Sequence, residues 1–419
     1  MKVKIYPSFC EGEVSVPCSK SQAHRALILA ALSPSTGIIS NISYSKDIDA
    51  TINCLQAFGA QIEKKENSCI VTGTDITKLT GEIHCDCNES GSTLRFLIPV
   101  AGMSNARVTF KTHGRLAKRP MTIYEDIFHS QNLLYQQAGD SITIQGPLRE
   151  RNYTVPGNIS SQFISGLLMG LSLSHEKCTI TVTDAYESKS YVDLSVQALK
   201  EYGIDVSFKD RTYYIPDAHY QSRDMIIEGD WSQAAFFAVL AAIKGNIECL
   251  NMDINSLQGD KVIVKILKQA GAKVEGNRFS NHQLSPQTID LQNCPDLGPI
   301  LFVLAAYTEG MTTITHCQRL RIKESDRIQA MEAELKKWGV QIESTEDTVI
   351  IKGKSSYKKD ETVYIEGHND HRIVMAMTVF GLCADSPCII EGVEAITKSY
   401  PNFFEDIQKV NGKIEGGKI

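Results

Sequence analysis

The stretch Leu335-Lys-Lys-Trp-Gly339-Val-Gln-Ile342 is the most informative one about the fold, because similar stretches occur elsewhere in the chain. The other clear copies are Leu55-Gln-Ala-Phe-Gly59-Ala-Gln-Ile62, Leu199-Lys-Glu-Tyr-Gly203-Ile-Asp-Val206 and Leu267-Lys-Gln-Ala-Gly271-Ala-Lys-Val274. Each copy is typical of an amphipathic helix that ends in a left-handed glycine cap before a strand begins. The period is roughly 70 residues, and looser copies at Gly139 and Gly412 complete a set of six.

A second pattern accompanies the first: a polar cluster followed by an apolar run long enough for a buried helix. It begins at Ser19, Ser90, Ser160, Asp230, Asp296 and Asn369. Simple N-capping is the commonest role of such residues. Cations and other polar side chains lie within the first turns of most of these helices, however. Helix starts placed around one centre would therefore make a positive cavity that binds anions.

These two patterns predict six similar units, each with a buried helix, an amphipathic helix and several strands. A chain of 419 residues exceeds what one core usually holds, so two domains are expected. We predict an α/β fold in which residues 19–229 form one domain of three units. Residues 1–18 and 230–419 form the other. The two crossings, near 18–20 and 228–230, would act as a hinge beside a ligand cleft.

The composition narrows the class of function. A net charge of −6 argues against broad binding to nucleic acid or to an anionic membrane. The twelve cysteines include no Cys-x-x-Cys pair, which favours reduced thiols in a cytoplasmic protein, and no spacing suggests a metal site. The longest apolar run, Ala234 to Ile243, is too short to cross a bilayer, so a soluble protein is expected.

The segment Arg319-Leu-Arg-Ile-Lys-Glu-Ser-Asp-Arg327 is the strongest candidate for chemistry. It lies between a predicted strand and a helix with apolar positions at Ile328, Met331, Leu335 and Trp338. Two cations beside one carboxylate suit a site that binds a negative substrate and moves a proton. In isolation, a first helix turn with solvated charges is an equal alternative.

Together these motifs resemble the enolpyruvyl transferase family over nearly the whole chain. The resemblance is carried by Lys20-Ser21 with Arg25, Ser90-Gly91-Ser-Thr-Leu-Arg95, Lys118-Arg119-Pro120, Ser160-Ser161-Gln162, Ser188-Lys-Ser-Tyr191, Asp296, Lys323-Glu324-Ser-Asp-Arg327, Asn369-Asp-His-Arg372 and Lys398-Ser-Tyr-Pro401. It implies two domains, each of three βαβαββ units around buried parallel helices, arranged as an inside-out α/β barrel.

The resemblance is to the branch of the family that uses shikimate 3-phosphate as acceptor. It implies transfer of the enolpyruvyl group of phosphoenolpyruvate to the 5-hydroxyl of shikimate 3-phosphate. Addition and elimination would give 5-enolpyruvylshikimate 3-phosphate and phosphate, without a metal or an organic cofactor. The implied partners are these two small molecules alone, and a monomer is favoured.

The family's site residues transfer to matching positions of this sequence. For shikimate 3-phosphate they are Lys20, Ser21, Arg25, Ser160, Ser161, Gln162, Ser188, Tyr191, Asp296 and Lys323. For phosphoenolpyruvate they are Lys20, Gly91, Arg95, Arg119, Gln162, Arg327, Arg372 and Lys398. Asp296 is expected to accept a proton, Glu324 to donate one, and Lys20 to neutralise phosphate and share in proton transfer.

Some positions depart from the family pattern. Glu89 and Arg319 stand where asparagine is expected, and His24 occupies another such place. Glu89 would bring a negative charge near the phosphoenolpyruvate pocket and is expected to pair with a cation. Gly91 leaves room beside that pocket, and a small residue there goes with sensitivity to glyphosate in this family.

Two other functions remain as alternatives. One is enolpyruvyl transfer to UDP-N-acetylglucosamine, which Ser21 after Lys20, the Ser160-Ser161-Gln162 set and a Gly114–Met121 loop without cysteine all disfavour. The other is a non-catalytic binder of anionic metabolites, in which Asp296 and Glu324 would have no role. Phosphate release that requires both substrates together would distinguish an enzyme from a binder.

Overall fold

The computed structural model describes residues 1–417, which form two compact units. One consists of Met1–Pro17 and the chain from Glu228 onward, and the other is Cys18–Ile227. The chain crosses between them after residues 17 and 227. The sequence had placed the crossings after 18 and 229. Each unit has its own apolar core.

The strands of the described residues are short and are numbered in chain order. They are β1 (Lys2–Tyr6), β2 (Cys10–Ser15), β3 (Thr36–Ser40), β4 (Gln61–Lys64), β5 (Ser68–Thr72), β6 (Glu82–Asp86), β7 (Arg107–Lys111), β8 (Leu134–Ala138), β9 (Ser141–Gln145), β10 (Asn152–Pro156), β11 (Cys178–Thr183), β12 (Ser207–Lys209), β13 (Thr212–Ile215), β14 (Met225–Ile226), β15 (Gly245–Leu250), β16 (Lys273–Glu275), β17 (Arg278–Ser280), β18 (Thr288–Asp290), β19 (Gly310–Thr315), β20 (Gln341–Ser344), β21 (Val349–Gly353), β22 (Val363–Glu366), β23 (Cys388–Glu391) and β24 (Lys413–Gly416).

The α-helices of the same residues are also numbered in order. They are α1 (Lys20–Ala31), α2 (Lys46–Ala57), α3 (Gly91–Ala101), α4 (Thr122–Ser130), α5 (Ser161–Leu171), α6 (Lys189–Glu201), α7 (Trp231–Lys244), α8 (Ile263–Ala270), α9 (Gly298–Ala306), α10 (Arg327–Lys337), α11 (His371–Cys383) and α12 (Phe403–Lys409). Short 3-10 turns are Ile76–Lys78, Leu116–Lys118, Ser172–Ser174, Gly259–Val262, Pro295–Leu297, Gln318–Ile322 and Val393–Lys398.

The strands form six four-stranded sheets with one shared pattern, within the part of the chain that is described. In Cys18–Ile227 the orders are β14-β3-β5-β4, β6-β7-β9-β8 and β10-β11-β13-β12. In the other unit they are β2-β15-β17-β16, β18-β19-β21-β20 and β22-β23-β1-β24. In every sheet the first pair is parallel and the next two pairs are antiparallel. The predicted sixfold repeat and its α/β class are confirmed.

Helices that the sequence predicts to be inner ones are buried all round. Every residue of α9 and of α11 is buried, because apolar neighbours surround these helices on all sides. In the other unit, α3 and α5 come close because Gly166 has no side chain. A Cβ on Gly166 would lie 2.3 Å from the carbonyl oxygen of Arg95. This approach places the starts of α3 and α5 side by side.

The predicted glycine caps are correct at the four clear copies and wrong at the two looser ones. Left-handed backbone, with φ between 82° and 99°, occurs at Gly59, Gly203, Gly271 and Gly339. Gly139 instead lies in the turn between β8 and β9, and Gly412 is not left-handed. After α4 and α12 the left-handed residues are Asn132 and Asn411. Asparagine tolerates this conformation, which is why the copies look degenerate in the sequence.

The predicted helix starts are correct at four positions and need correction at two. Ser19, Ser90, Ser160 and Asp230 accept hydrogen bonds from backbone N–H groups as N-caps. For α11 the cap is Asp370 rather than Asn369. Asp296 lies in the 3-10 turn Pro295–Leu297 that precedes α9. Since Asp296 caps no helix, its carboxylate is left for other partners.

A glycine cap provides a test of the repeat. We expect Gly271→Ala to lower the free energy of unfolding by about 2–3 kcal/mol, because left-handed backbone and overpacking are each costly. The new Cβ would lie 2.7 Å from the carbonyl oxygen of Gln283. Gly276→Ala is the control, since φ there is also positive but nothing lies within 4 Å. Urea unfolding measures the free energy of unfolding of both variants. Equal losses in Gly271→Ala and Gly276→Ala would contradict the expected clash with Gln283.

Candidate functional site

The first helix of Cys18–Ile227 carries three of the predicted residues at its start. Lys20 donates from Nζ to Asp47 Oδ2 at 2.7 Å. Arg25, one turn later, is 3% exposed. It donates to the carbonyl oxygens of Ser21 at 2.6 Å and Tyr191 at 2.7 Å. Arg25 therefore joins the start of α1 to the start of α6.

The buried Arg25 guanidinium has the environment of an anion site. Burial lowers its pKa to about 9, because a charged group loses water there. Its Nε donates to Ser195 Oγ at 2.8 Å, and Ser195 Oγ in turn donates to Ser165 Oγ at 2.8 Å. This chain links α1, α6 and α5. An anion bound beside Arg25 would restore the stability of the charged form.

Gly91 lies at the centre of a second group of predicted residues. Arg95 Nη1 donates to Gln162 Oε1 at 2.8 Å, and Gln162 Nε2 donates to Ser92 Oγ at 3.0 Å. A Cβ on Gly91 would lie 2.9 Å from Arg119 Nη1 and 3.5 Å from both Arg95 Nη1 and Gln162 Oε1. Two guanidinium groups and one amide thus surround a position that has no side chain.

The predicted serines lie at helix starts in the same unit. Ser160 caps α5 by accepting from the backbone N–H of Gln162 at 3.3 Å, and Ser161 is the first residue of that helix. Ser188 precedes α6 and has left-handed backbone, with φ of 53°. Backbone N–H groups at such starts can bind phosphate oxygens.

In the other unit, Asp296 is the centre of a cluster of cations. Its Oδ1 accepts from Lys323 Nζ at 3.2 Å and from Arg327 Nη1 at 3.3 Å. Its Oδ2 accepts from Arg372 Nη2 at 3.1 Å. Arg372 also donates to Ser232 Oγ at 2.9 Å. Four predicted residues from three separate segments therefore meet at one carboxylate.

Arg327, at the start of α10, connects this cluster to two more carboxylates. Its Nη2 donates to Glu324 Oε2 at 2.7 Å, and its Nε donates to Asp370 Oδ2 at 2.9 Å. Asp370 Oδ2 also accepts from Ser325 Oγ at 3.0 Å. One buried guanidinium therefore holds Asp296, Glu324 and Asp370 in fixed positions.

Lys398 completes the group through the loop before α11. Its Nζ donates to the carbonyl oxygen of Asn369 at 2.7 Å. The Lys398 side chain is buried at the end of the turn Val393–Lys398.

Arg319, which departs from the family pattern, donates from Nη2 to the carbonyl oxygen of Gln292 at 2.8 Å. Arg319 thus braces the segment that leads to Asp296.

The charges within this cluster shift each other's pKa values. Burial alone would raise the pKa of Asp296, but Arg372, Lys323 and Arg327 hold it well below its usual range. Burial lowers the pKa of Lys323, and Asp296 opposes that effect. Asp296 is therefore ionised at neutral pH, in the form that can accept a proton.

Sequence reasoning missed several partners that hold the predicted residues. Asp47, Ser195 and Ser232 each contact a predicted cation. Asp47 is the second residue of α2, and Ser232 that of α7, so each lies at a helix start as the predicted residues do. The carboxylate of Glu89 lies against Gly114, where a Cβ would be 2.5 Å from Oε2.

Among the described residues, one group has ligand atoms close enough to hold a metal ion. Glu334, Glu366 and His368 bring these atoms within 4.8 Å of one another. Glu334 already accepts hydrogen bonds from His368 at 3.0 Å and from Lys337 at 2.7 Å. None of these residues is a predicted site residue.

The described helices include none with the length and apolar character that a membrane span requires.

Comparison with known proteins identifies the class. Solved structures with this fold include EPSP synthase from Acinetobacter baumannii, with a TM-score of 0.80, 25% identity and 99% coverage of both chains. The enolpyruvyl transferase NikO from Streptomyces tendae has a TM-score of 0.75 at 14% identity, covering 99% of this chain and 98% of that one. The fold is that of the enolpyruvyl transferases.

Sequence comparison gives the family. The EPSP synthase (3-phosphoshikimate 1-carboxyvinyltransferase) model matches residues 6–407. A 3-phosphoshikimate 1-carboxyvinyltransferase from Clostridium novyi is 41% identical, covering 99% of this chain and 98% of the relative. The one from Clostridioides difficile is 40% identical at the same coverage. The chain belongs to the EPSP synthase family and is a transferase of the shikimate pathway, as the resemblance predicted.

The buried pair of Arg327 and Asp370 predicts a pH-dependent loss of stability. Although burial raises it, the pKa of Asp370 is lowered by Arg327. The folded carboxyl thus binds its proton at lower pH than the unfolded one, so its contribution is complete above about pH 5 and is lost as pH falls further. We expect Asp370→Asn to lower the free energy of unfolding by about 3–5 kcal/mol at pH 7.

Asparagine keeps the cap but removes the fully buried carboxylate of the three that pair with Arg327, and only Asp296 and Glu324 remain as its charged partners. Urea unfolding between pH 7 and pH 3.5 measures the effect, and the difference from wild type should shrink toward the acidic end. Asp385→Asn, an exposed carboxylate position beyond α11, is the control. If the difference in free energy of unfolding between Asp370→Asn and wild type stayed constant over this pH range, the lowered pKa of Asp370 would be contradicted.

Proposed function

We propose that the polar side chains around Gly91 and those around Asp296 act on phosphoenolpyruvate and shikimate 3-phosphate. The reaction would join the enolpyruvyl group to the 5-hydroxyl of shikimate 3-phosphate and release phosphate. The observation that best supports this proposal is the Asp296 carboxylate, which three cations surround in a chain of this family. A carboxylate among cations suits a proton acceptor for substrates that are themselves anionic.

Phosphoenolpyruvate brings a phosphate and a carboxylate, and guanidinium groups bind both with paired hydrogen bonds. In this proposal the group around Gly91 contributes Arg95, Arg119 and Gln162. The cluster around Asp296 contributes the remaining cations, which are Arg327, Arg372 and Lys398. Each group brings several N–H donors close together, which supports the assignment.

Shikimate 3-phosphate is assigned to the helix starts of Cys18–Ile227 and to Lys323. Ser160 and Ser161 offer hydroxyl and backbone donors at the start of α5. Arg25, Ser21, Ser188 and Tyr191 lie at the starts of α1 and α6. Lys20 and Gln162 are proposed to contact both substrates. Burial lowers the pKa of Arg25 to about 9, and an anion bound beside it would stabilise its charged form.

Proton transfer is assigned to Asp296, Glu324 and Lys20. Asp296 would accept the proton of the 5-hydroxyl, and Glu324 would donate one to the methylene carbon of phosphoenolpyruvate. The anionic substrates would compete with Asp296 for Arg372 and Lys323. That competition would raise the pKa of Asp296 from its depressed value and make it a stronger base when both substrates are bound.

We also propose a monomeric enzyme of the cytoplasm. The twelve cysteine side chains are buried, and buried thiols are typical of proteins in a reducing compartment. Release of phosphate in the presence of both substrates, and from neither alone, would separate this enzyme from a binding protein. Replacing shikimate 3-phosphate with UDP-N-acetylglucosamine should abolish that release.

The role of Glu324 can be tested by Glu324→Gln. We expect this variant to bind both substrates but to lose about 100-fold or more in kcat, because a positioned proton donor contributes that much. Stopped assays of phosphate release and titration calorimetry measure the two effects. Glu343→Gln, at an exposed position of β20, is the control. Turnover near that of wild type would remove Glu324 from the mechanism.

The lack of a side chain at Gly91, beside the Arg119 guanidinium, predicts the response to glyphosate. We expect wild type to be inhibited below millimolar glyphosate, and Gly91→Ala to need at least about tenfold more. The added methyl would lie 2.9 Å from Arg119 Nη1 and must displace it. Gly81→Ala, where nothing lies within 4 Å, is the control. An inhibition curve of wild type that stays flat to millimolar glyphosate would refute this expectation.

A further inference from the structure

A buried carboxylate that the proposed mechanism does not use lies on α10, two turns beyond Arg327. Glu334 is 1% exposed. Its Oε1 accepts from His368 Nε2 at 3.0 Å, and its Oε2 accepts from Lys337 Nζ at 2.7 Å and from the backbone N–H of Glu366 at 3.1 Å. Residues seven apart lie on the same face of a helix, so Glu334 and Arg327 face the same neighbours.

The loop that Glu334 contacts connects β22 to α11. His368 and Asn369 both have left-handed backbone, with φ of 50°. This conformation is uncommon for a residue other than glycine or asparagine, and His368 keeps it only where neighbouring groups hold the loop. Glu334 holds the loop at residues 366 and 368, and Arg327 holds it at Asp370. Helix α10 thus binds the loop at both of its ends.

The same loop determines where two cations of the cluster lie. The carbonyl oxygen of Asn369 accepts from Lys398 Nζ at 2.7 Å. Asp370 accepts from the backbone N–H of Arg372 at 2.9 Å and so sets the start of α11. A shift of this loop would therefore move Lys398 and Arg372 together.

Both members of the Glu334 and His368 pair tend toward their charged forms. The hydrogen bond to Glu334 raises the pKa of His368. Burial raises the pKa of Glu334, but the bonds from His368 and Lys337 lower it below its usual value. The pairing is therefore charge-assisted and stronger than a neutral hydrogen bond.

We infer that Glu334 is a positioning residue: through His368 and the backbone of Glu366 it holds the β22–α11 loop so that Lys398 and Arg372 are placed for phosphoenolpyruvate. This inference rests on the proposed function, because it takes these two cations as ligands of that substrate. Glu334 itself touches neither substrate in this account. Its loss should weaken phosphoenolpyruvate binding more than it slows the chemical step.

The test is Glu334→Gln in the full chain. Glutamine keeps one acceptor oxygen but turns an NH₂ group toward existing donors, so part of the loop contact is lost. We expect KM for phosphoenolpyruvate to rise about tenfold, with kcat reduced less than about threefold and the Kd of shikimate 3-phosphate changed less than about twofold. A purely structural role would lower the amount of folded enzyme without this selective rise in KM.

The matched control is Glu332→Gln, which makes the same change two residues away on α10. Glu332 pairs with Lys336 and with Ser344 Oγ and does not contact the loop. The KM of the Glu332→Gln enzyme for phosphoenolpyruvate should stay within about twofold of the wild-type value. A folded Glu334→Gln enzyme with unchanged KM, or an equal rise in Glu332→Gln, would overturn the inference.

Two further variants keep the result interpretable. If Glu334→Gln does not fold, His368→Asn removes one contact at a partly exposed side chain, and a rise in KM of about threefold is expected. An unchanged KM for phosphoenolpyruvate in His368→Asn would overturn the inference.

Arg372→Lys tests the proposed function separately. If Arg372→Lys raises KM and Glu334→Gln does not, only the positioning role fails; if Arg372→Lys has no effect, the assigned role of Arg372 fails, and the inference fails with it.

Discussion

The ion pair between Arg327 and Asp370 is the interaction on which the cluster around Asp296 depends. Arg327 is 1% exposed and Asp370 is fully buried. A pair at such depth contributes little net stability, but breaking it is costly because a buried charge is left alone. Its value is geometric: the same guanidinium contacts Asp296 and Glu324. Two of the three proposed proton-transfer groups, Asp296 and Glu324, are thus held by one side chain.

The repeat explains how such a site can be assembled from distant segments. Among the described residues, each of the six repeats ends a helix with a left-handed residue, and five of the six begin an inner helix with a polar N-cap. Close approach at small residues brings inner helices together, as Gly166 does for α3 and α5. Polar helix starts that would be scattered in a less regular fold are therefore neighbours here.

The sequence predicted the repeat and the inner helices because these depend on local pattern, and the resemblance to the family indicated which residues to look for in the clusters. It placed Asp296 and Asn369 at helix starts, and this was wrong, because a 3-10 turn and a one-residue shift are decided by packing rather than by propensity. It did not find Ser195 or Ser232, since single serines carry no signal in one sequence. Nor did it give Glu334 a role, because nothing in the pattern of α10 separates a buried glutamate from a solvated one.

The central claim is that the side chains around Gly91 and those around Asp296 serve the same pair of substrates. A crystal structure of the enzyme with shikimate 3-phosphate and glyphosate bound tests it most directly. The account predicts hydrogen bonds to glyphosate from Arg119 together with Arg327 or Arg372. Glyphosate that lacks a hydrogen bond from Arg119, or lacks one from both Arg327 and Arg372, would contradict it.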